Sequence, residues 1–405
     1  MRNPHARNTV RYYLLVVILL GFLFFTNDFG LIDTQKTAII TAVGIDREGE
    51  EFILTSQIAL PQSSQQGKST QAVQLVSRGK TISEAFEQIN AKTGWYPKLV
   101  FCKLLIFGKK AAEENVFDAL DFFLLDEYLT DDCLVTVCEG LAKDILDTPA
   151  LVDETSSLAI QKVISGHAER VGTVHPCNLK DFAIGYFGED SSGLLPVIKK
   201  EKQQGDPSTE SAPTESSSQQ EESGEKLNSS TDQEKANPVF SAKETALFVN
   251  GRWRDTLTPE ETFAVNAAVG KLRLASYSVD VDDATCTLTV KHNDSKIKLD
   301  VGKEGNGRVQ VSLTMTAGIA DYSKALTLKK LADAGDVPDG VFAAAEKKLA
   351  AELTSAYEKA KGVGCDILGI KERLIKYKNR KYHPERDTFL DKTTFSVHVN
   401  FEGIR

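Results

Sequence analysis

The sequence predicts an α+β protein: a mixed α/β N-terminal region and a C-terminal domain with an antiparallel sheet packed by two long helices, after one N-terminal transmembrane helix. Three observations carry this. Apolar residues recur now at every second position and now at every third or fourth, which marks strands and helices in turn. A Ser/Gln/Glu-rich stretch near the middle has almost no large apolar residue and separates two globular parts. An apolar run lies directly behind a basic N-terminus.

Of the 405 residues 41% are hydrophobic, enough for two or three domains with real cores, which excludes a disordered chain or a disulfide mini-protein. Lys and Arg number 48 against 57 Asp and Glu, a formal net charge of −9. From Glu201 to Pro238 nine acids face three lysines, so this stretch supplies −6 of that total. No Lys/Arg cluster with interleaved aromatics is present, so nucleic acid is not an expected partner.

At the N-terminus, Arg2 and Arg7 precede Arg11, which is followed by Tyr12, Tyr13, Leu14, Leu15, Val16, Val17, Ile18, Leu19, Leu20, Gly21, Phe22, Leu23, Phe24 and Phe25. A basic flank before an apolar core reads as a signal anchor, with the bulk of the chain on the extracytoplasmic side. Bulky Phe stands where signal peptidase needs small side chains, so the segment is expected to be retained. The strict apolar run is shorter than the ~20 residues of a usual span, and Phe29 to Ile32 are read as extending it. Residues 1–11 then form a cytoplasmic tail and 12–32 the anchor.

Beyond it, residues 33–200 read as one mixed α/β region or as two subdomains split near 150. Thr37–Asp46 and Glu51–Leu60 form a hairpin, Pro61–Thr70 a polar loop and Ala72–Ser77 a further strand. Thr81-Ile82-Ser83-Glu84 is a capping box opening a helix that Gly94 closes. A strand Leu99–Phe107, a helix from about Lys110 to Leu125, a strand Cys133–Cys138 and a short helix Leu141–Leu146 follow. The odd separation of Cys133 and Cys138 puts them on opposite faces of their strand. With no C-x-x-C and no Cys/His cluster at zinc spacing, the six cysteines read as small buried hydrophobes. His167 and His175 lie in a helical stretch between Asp153 and Lys200, each without a carboxylate at ligand spacing.

Residues 201–240 read as an acidic disordered linker, and 241–405 as the C-terminal domain. Glu244–Asn250 is a strand, Asn250-Gly251 a turn, and Thr258-Pro259-Glu260-Glu261 opens a helix. Strands dominate from Leu272 to about Ile319, with hairpin turns at VDVDDATC and at Gly305-Asn306-Gly307. A long amphipathic helix spans about Gly340 to Lys361, with Phe342, Ala345, Leu349, Leu353 and Tyr357 on one face. A helix Ile367–Tyr377 and a strand Thr393–Phe401 complete the chain.

No nucleophile elbow, zinc-binding helix, P-loop or dinucleotide fingerprint occurs. The sequence thus assigns no catalytic, cofactor-binding or metal residue, no cofactor and no small-molecule ligand, and an interaction protein is the leading class. The alternative is a membrane-anchored extracytoplasmic enzyme or solute-binding protein whose site forms only in three dimensions.

The order of short segments resembles the Ger(x)C family, the C subunits of spore germinant receptors in endospore-forming bacteria. They are ITAVGID, GKTISEAFEQI, LVFCKLLIFGKKAAEE, ALDFFLLDE and GLAKDIL, then ETALFVNGRWRDTLTPEET, CDILGI and TTFSVHVNFEGIR. Family members typically carry a lipid-modified Cys at the end of the signal sequence, whereas this chain has no Cys before Cys102. The resemblance implies a non-enzymatic, membrane-anchored scaffold subunit in nutrient-triggered germination. Its implied partners are the receptor's A and B type membrane subunits, in the inner spore membrane.

Overall fold

The computed structural model describes residues 4–25, 37–59, 72–165, 168–201, 239–281, 284–301, 307–323, 339–382 and 389–404. Helix α1 spans Pro4–Phe25. Among the described residues, no helix is long and apolar enough to cross a membrane.

The first sheet follows from the alternating strands. β1 (Thr37–Glu48) and β2 (Glu51–Ala59) make the expected hairpin, and β3 (Ala72–Gly79) pairs antiparallel with β2. The expected loop Pro61–Thr70 lies outside the described residues. The sheet runs β3-β2-β1-β5-β6-β7-β8-β9, with the short β4 (Tyr96–Lys98) beside β1. Here β5 is Leu104–Phe107, β6 Leu134–Cys138, β7 Ser192–Glu201, β8 Val239–Val249 and β9 Arg252–Leu257. Strands β1, β5, β6 and β7 are parallel and central; the pairs outside them are antiparallel, except that β4 runs parallel to β1.

Parallel strands need both faces covered, and their residues sort accordingly. Leu105, Phe107, Val135 and Val137 face a core shared with α2 (Ile82–Thr93), α4 (Phe117–Leu125) and α8 (Leu179–Phe187). Leu104, Ile106 and Cys138 face the opposite core, beneath α5 (Ala142–Leu146) and α6 (Ser156–Ile164). Cys133 and Cys138 thus sit on opposite faces. The short α7 is Ala168–Val171.

Two expected elements are shorter than read. The strand beginning at Leu99 starts only at Leu104, because Cys102 N–H turns back to the Leu99 carbonyl at 2.8 Å. Cys102 therefore precedes its strand. The helix Lys110–Leu125 breaks into α3 (Lys109–Glu114) and α4. Asn115 between them is extended, its Oδ1 accepts the Phe117 N–H at 3.1 Å, and Val116 N–H goes to the Gly251 carbonyl at 2.9 Å. Two hydrogen bonds from outside the helical ladder replace those a continuous helix would make. Around α2, Thr81 Oγ1 accepts the Glu84 N–H as expected, but Glu84 Oε2 takes the N–H of Lys80 rather than that of Thr81.

The acidic stretch, apart from its ends, lies outside the described residues. Its flanks are described: Glu201 and Val239 are registered partners of the antiparallel pair β7–β8.

The second sheet runs β10 (Ala275–Val281), β11 (Ala284–Val301), β12 (Gly307–Tyr322), β13 (Thr394–Gly403). Val281 pairs with Ala284 at the first expected hairpin; residues 302–306 of the second are not described. The sheet is not wholly antiparallel as read, because β13 runs parallel to β12. Two helices, α10 (Asp339–Val363) and α11 (Ile370–Tyr382), lie between these strands in the chain, and such a crossover returns the chain in the same direction. Helix α10 buries Val341, Ala345, Leu349, Leu353 and Tyr357, with Phe342 only half-buried. Helix α11 starts three residues later than read because Gly369 takes a left-handed φ of 62°.

Helix α9 (Pro259–Ala268) joins the two sheets. Its capping box is complete, and every residue from Glu261 to Ala268 is buried. A helix buried on all sides needs neighbours on all sides. Thr262 Oγ1 donates to Thr245 Oγ1 of β8 at 3.1 Å, while Asn293 Nδ2 of β11 donates to the Ala267 carbonyl at 2.9 Å.

Candidate functional site

Ligands of open α/β sheets collect at the carboxyl ends of parallel strands, so that end comes first. β1 ends near Asp46, β5 at Phe107, β6 at Cys138 and β7 beyond Ile198. Asp46 is buried, and its carboxylate accepts the N–H groups of Ala142 at 2.8 Å and Lys143 at 3.0 Å. It therefore caps α5 from a distant strand. Burial pushes its pKa above the usual carboxylate range, partly offset by these two hydrogen bonds. Beside it, burial pushes the Cys138 thiol up to about 12, so this sulfur is protonated and not a nucleophile. Lys199 bridges Glu139 at 3.1 Å and Glu244 at 2.8 Å. Asp46 and Lys199, the charged groups best placed to meet a ligand there, are thus engaged with the chain itself.

A second polar cluster ties the first sheet's last helical region to α9. Asn266 is buried and donates through Nδ2 to the carbonyls of Gly172 and Val174, both at 2.8 Å. Lys271 Nζ lies 3.3 Å from His175 Nε2, which must accept, so Nδ1–H donates to Asn266 Oδ1 at 2.7 Å. Burial, with Lys271 close by, lowers the His175 pKa to about 3. His175 is neutral and structural, held in the core by Asn266. His167 lies outside the described residues. Among the described residues, no group of three or more His, Cys, Asp or Glu could hold a metal ion.

A cavity of about 430 Å³ opens between the 151–153 segment, α6, Thr173 and Val174, and the start of β8. Its walls are mainly aliphatic, with Val163, Val174, Phe240 and Ala242 prominent, and the Lys162–Asp153 ion pair stands among them. The volume suits a small ligand, but few polar groups converge on it to fix an orientation. No sequence motif marks it, because its walls come from three separated segments.

The anchor residues read from sequence all belong to α1. Arg11 to Leu20 are exposed, the apolar and aromatic side chains Tyr12 to Leu20 from 74% at Tyr13 to 51% at Val17, and Gly21 is half-buried. An exposed row of this kind is what a soluble helix avoids. The side chains of Phe22, Leu23, Phe24 and Phe25 lie outside the described residues.

Comparison with known proteins locates this architecture. The model of the spore germination protein N-terminal domain matches residues 32–200. The model described as spore germination B3/GerAC like, C-terminal, matches residues 243–404. No curated protein sequence matches. Among solved structures, the crystal structure of the GerBC protein is similar with a TM-score of 0.53 at 15% identity, over 90% of this chain and 97% of that one. At that identity the likeness establishes a shared fold. The two family matches together take in most of the chain and end within a few residues of the described acidic-stretch flanks, so the chain belongs to the Ger(x)C family of spore germination proteins.

Proposed function

We propose that this chain is a membrane-anchored, non-catalytic subunit of a spore germinant receptor, acting as a scaffold for the receptor's A and B type membrane subunits. The observation that carries this reading is the match to both germination domains, in order, along one chain. The chemistry of the described buried groups agrees with it. Asp46 caps a helix, His175 is neutral, and the Cys138 and Cys177 thiols are raised to about 12 by burial.

Anchoring rests on α1. Its exposed Tyr12 to Leu20 face no partner within the described chain, and lipid offers the apolar surroundings they lack. Arg11 would then lie among headgroups with the body on the extracytoplasmic side. The anchor confines the two-sheet body to one membrane face and raises its effective concentration for neighbouring subunits.

The aliphatic cavity favours a second reading, a solute-binding protein. Deleting the gene and following optical density after nutrient addition separates the two. Loss of the response to one nutrient class, restored by the full chain and by a Val163→Trp variant that fills the cavity, supports the scaffold. Failure of that folded variant to restore it supports a bound solute, and unchanged germination in the deletion strain contradicts both.

A further inference from the structure

Cys102 and Cys133 lie at the entries of β5 and β6. These strands are parallel neighbours with Leu104 registered to Leu134, and Leu134 N–H donates to the Lys103 carbonyl at 2.9 Å. The pairing thus reaches back to the level of Cys133, with Cys102 one residue further along the neighbouring chain. Both cysteines are fully buried and face the same core, the one beneath α2, α4 and α8. The Cys102 side chain is the neighbour that acts most strongly on the Cys133 thiol. Their other contacts are weak: Cys102 Sγ to the Leu104 carbonyl at 3.7 Å, and Cys133 Sγ to the Leu134 carbonyl at 3.9 Å.

Paired strands run about 4.8 Å apart and an offset of one residue adds about 3.3 Å along the strand, which keeps the two Cα atoms within the roughly 4.4–6.8 Å that a disulfide spans. Cys138 faces the opposite core and is no competitor. Cys177 faces the same core, but its carbonyl pairs with Val135 N–H, two residues beyond Cys133. Cys102 is the sulfur that Cys133 meets.

We infer that Cys102 and Cys133 are an oxidisable pair, which closes to a disulfide between the entries of β5 and β6 when a low-molecular-weight disulfide reaches the protein. The thiolate of one cysteine attacks the reagent disulfide, forms a mixed disulfide and expels one reagent thiolate. The second cysteine gives up its proton and attacks the protein sulfur of that mixed disulfide, expelling the other reagent thiolate. Two protein thiols lose two electrons and two protons; one reagent disulfide becomes two thiols. The neighbouring Cys102 side chain and burial hold the Cys133 thiol well above its usual range, and with both sulfurs buried exchange begins when the 99–103 turn opens. Closure encircles α3 and α4, and it restrains the unfolded chain more than the folded one.

The test uses the full chain. After equilibration with oxidised glutathione, the protein is unfolded in iodoacetamide and digested with trypsin. Alkylated cysteines should fall from the six free ones to four, and the peptide Leu99–Lys103 should appear joined to Ala111–Lys143 with Cys138 alkylated. Dithiothreitol before alkylation should restore all six. Cys102→Ser and Cys133→Ser should each abolish the joined peptide, and Cys138→Ser should keep it. Should a serine variant fail to fold, the wild-type thiol count and joined peptide decide alone. Six alkylated cysteines after equilibration, lasting glutathione adducts on either residue, or a bridge from Cys133 to Cys177 would overturn the inference.

Discussion

Asp46 occupies the space that a side chain on Gly108 would need. A Cβ built on Gly108 overlaps the Asp46 carboxylate, the same carboxylate that caps α5 through Ala142 and Lys143. Three distant segments therefore meet at one buried charge. Gly108→Ala should destabilise the folded chain by about 2–3 kcal/mol in urea unfolding, through overpacking and loss of the cap. Asp46→Ala removes both the cap and the clash. The double variant should thus be more stable than the sum of the single losses, and strict additivity would refute the arrangement.

Two buried groups should oppose each other in acid. Asp366 is pushed up to about 6, chiefly by burial, against an ordinary 3.8. Between those values the native state holds a proton that the unfolded chain releases, so this group makes stability fall as pH rises, by about 3 kcal/mol. His175, lowered to about 3 from 6.5, acts the other way. There the unfolded chain binds the proton, and stability falls as pH drops, on the order of 5 kcal/mol. Urea midpoints from about pH 4 to about pH 7 should separate them. Asp366→Asn should steepen the acid-side loss, and His175→Gln should flatten or reverse it. Parallel profiles for both variants and the wild type would contradict these assignments.

Asn266 secures the junction between the sheets. Asn266→Ala would leave the Gly172 and Val174 carbonyls and the His175 Nδ1–H without their present partner. A loss of roughly 3 kcal/mol is expected in urea unfolding. Amide exchange should rise first in α9 and residues 172–177, whereas uniform acceleration would argue against a local junction.

The anchor makes its own prediction. Full-length protein should sediment with membranes and be released by detergent, not by high salt. A chain beginning after Phe25 should stay in the supernatant. Equal recovery of both forms in the supernatant would remove α1 from the account.

The parts legible in sequence are those fixed by neighbours along the chain. Thr258, Pro259 and Glu261 announce α9, and Thr81 with Gly94 brackets α2, because caps are local hydrogen bonds. The break at Asn115 was not legible, since it depends on the carbonyl of Gly251. Nor was the direction of β13, which follows from how α10 and α11 pack. Asp46 reads as the last residue of a hairpin strand; its partners stand 96 and 97 residues away, and no spacing rule reaches that far. The placing of Cys102 beside Cys133 was hidden for the same reason, whereas the opposed faces of Cys133 and Cys138 could be read from strand periodicity alone.

Purification of the tagged full chain from detergent-solubilised spore membranes tests the subunit reading most directly. The account predicts that two polytopic membrane proteins, one of A type and one of B type, copurify with it in constant ratio, and that both are lost when α1 is deleted. Repeated recovery of the chain alone, from membranes in which those proteins are present and soluble in the same detergent, would contradict it.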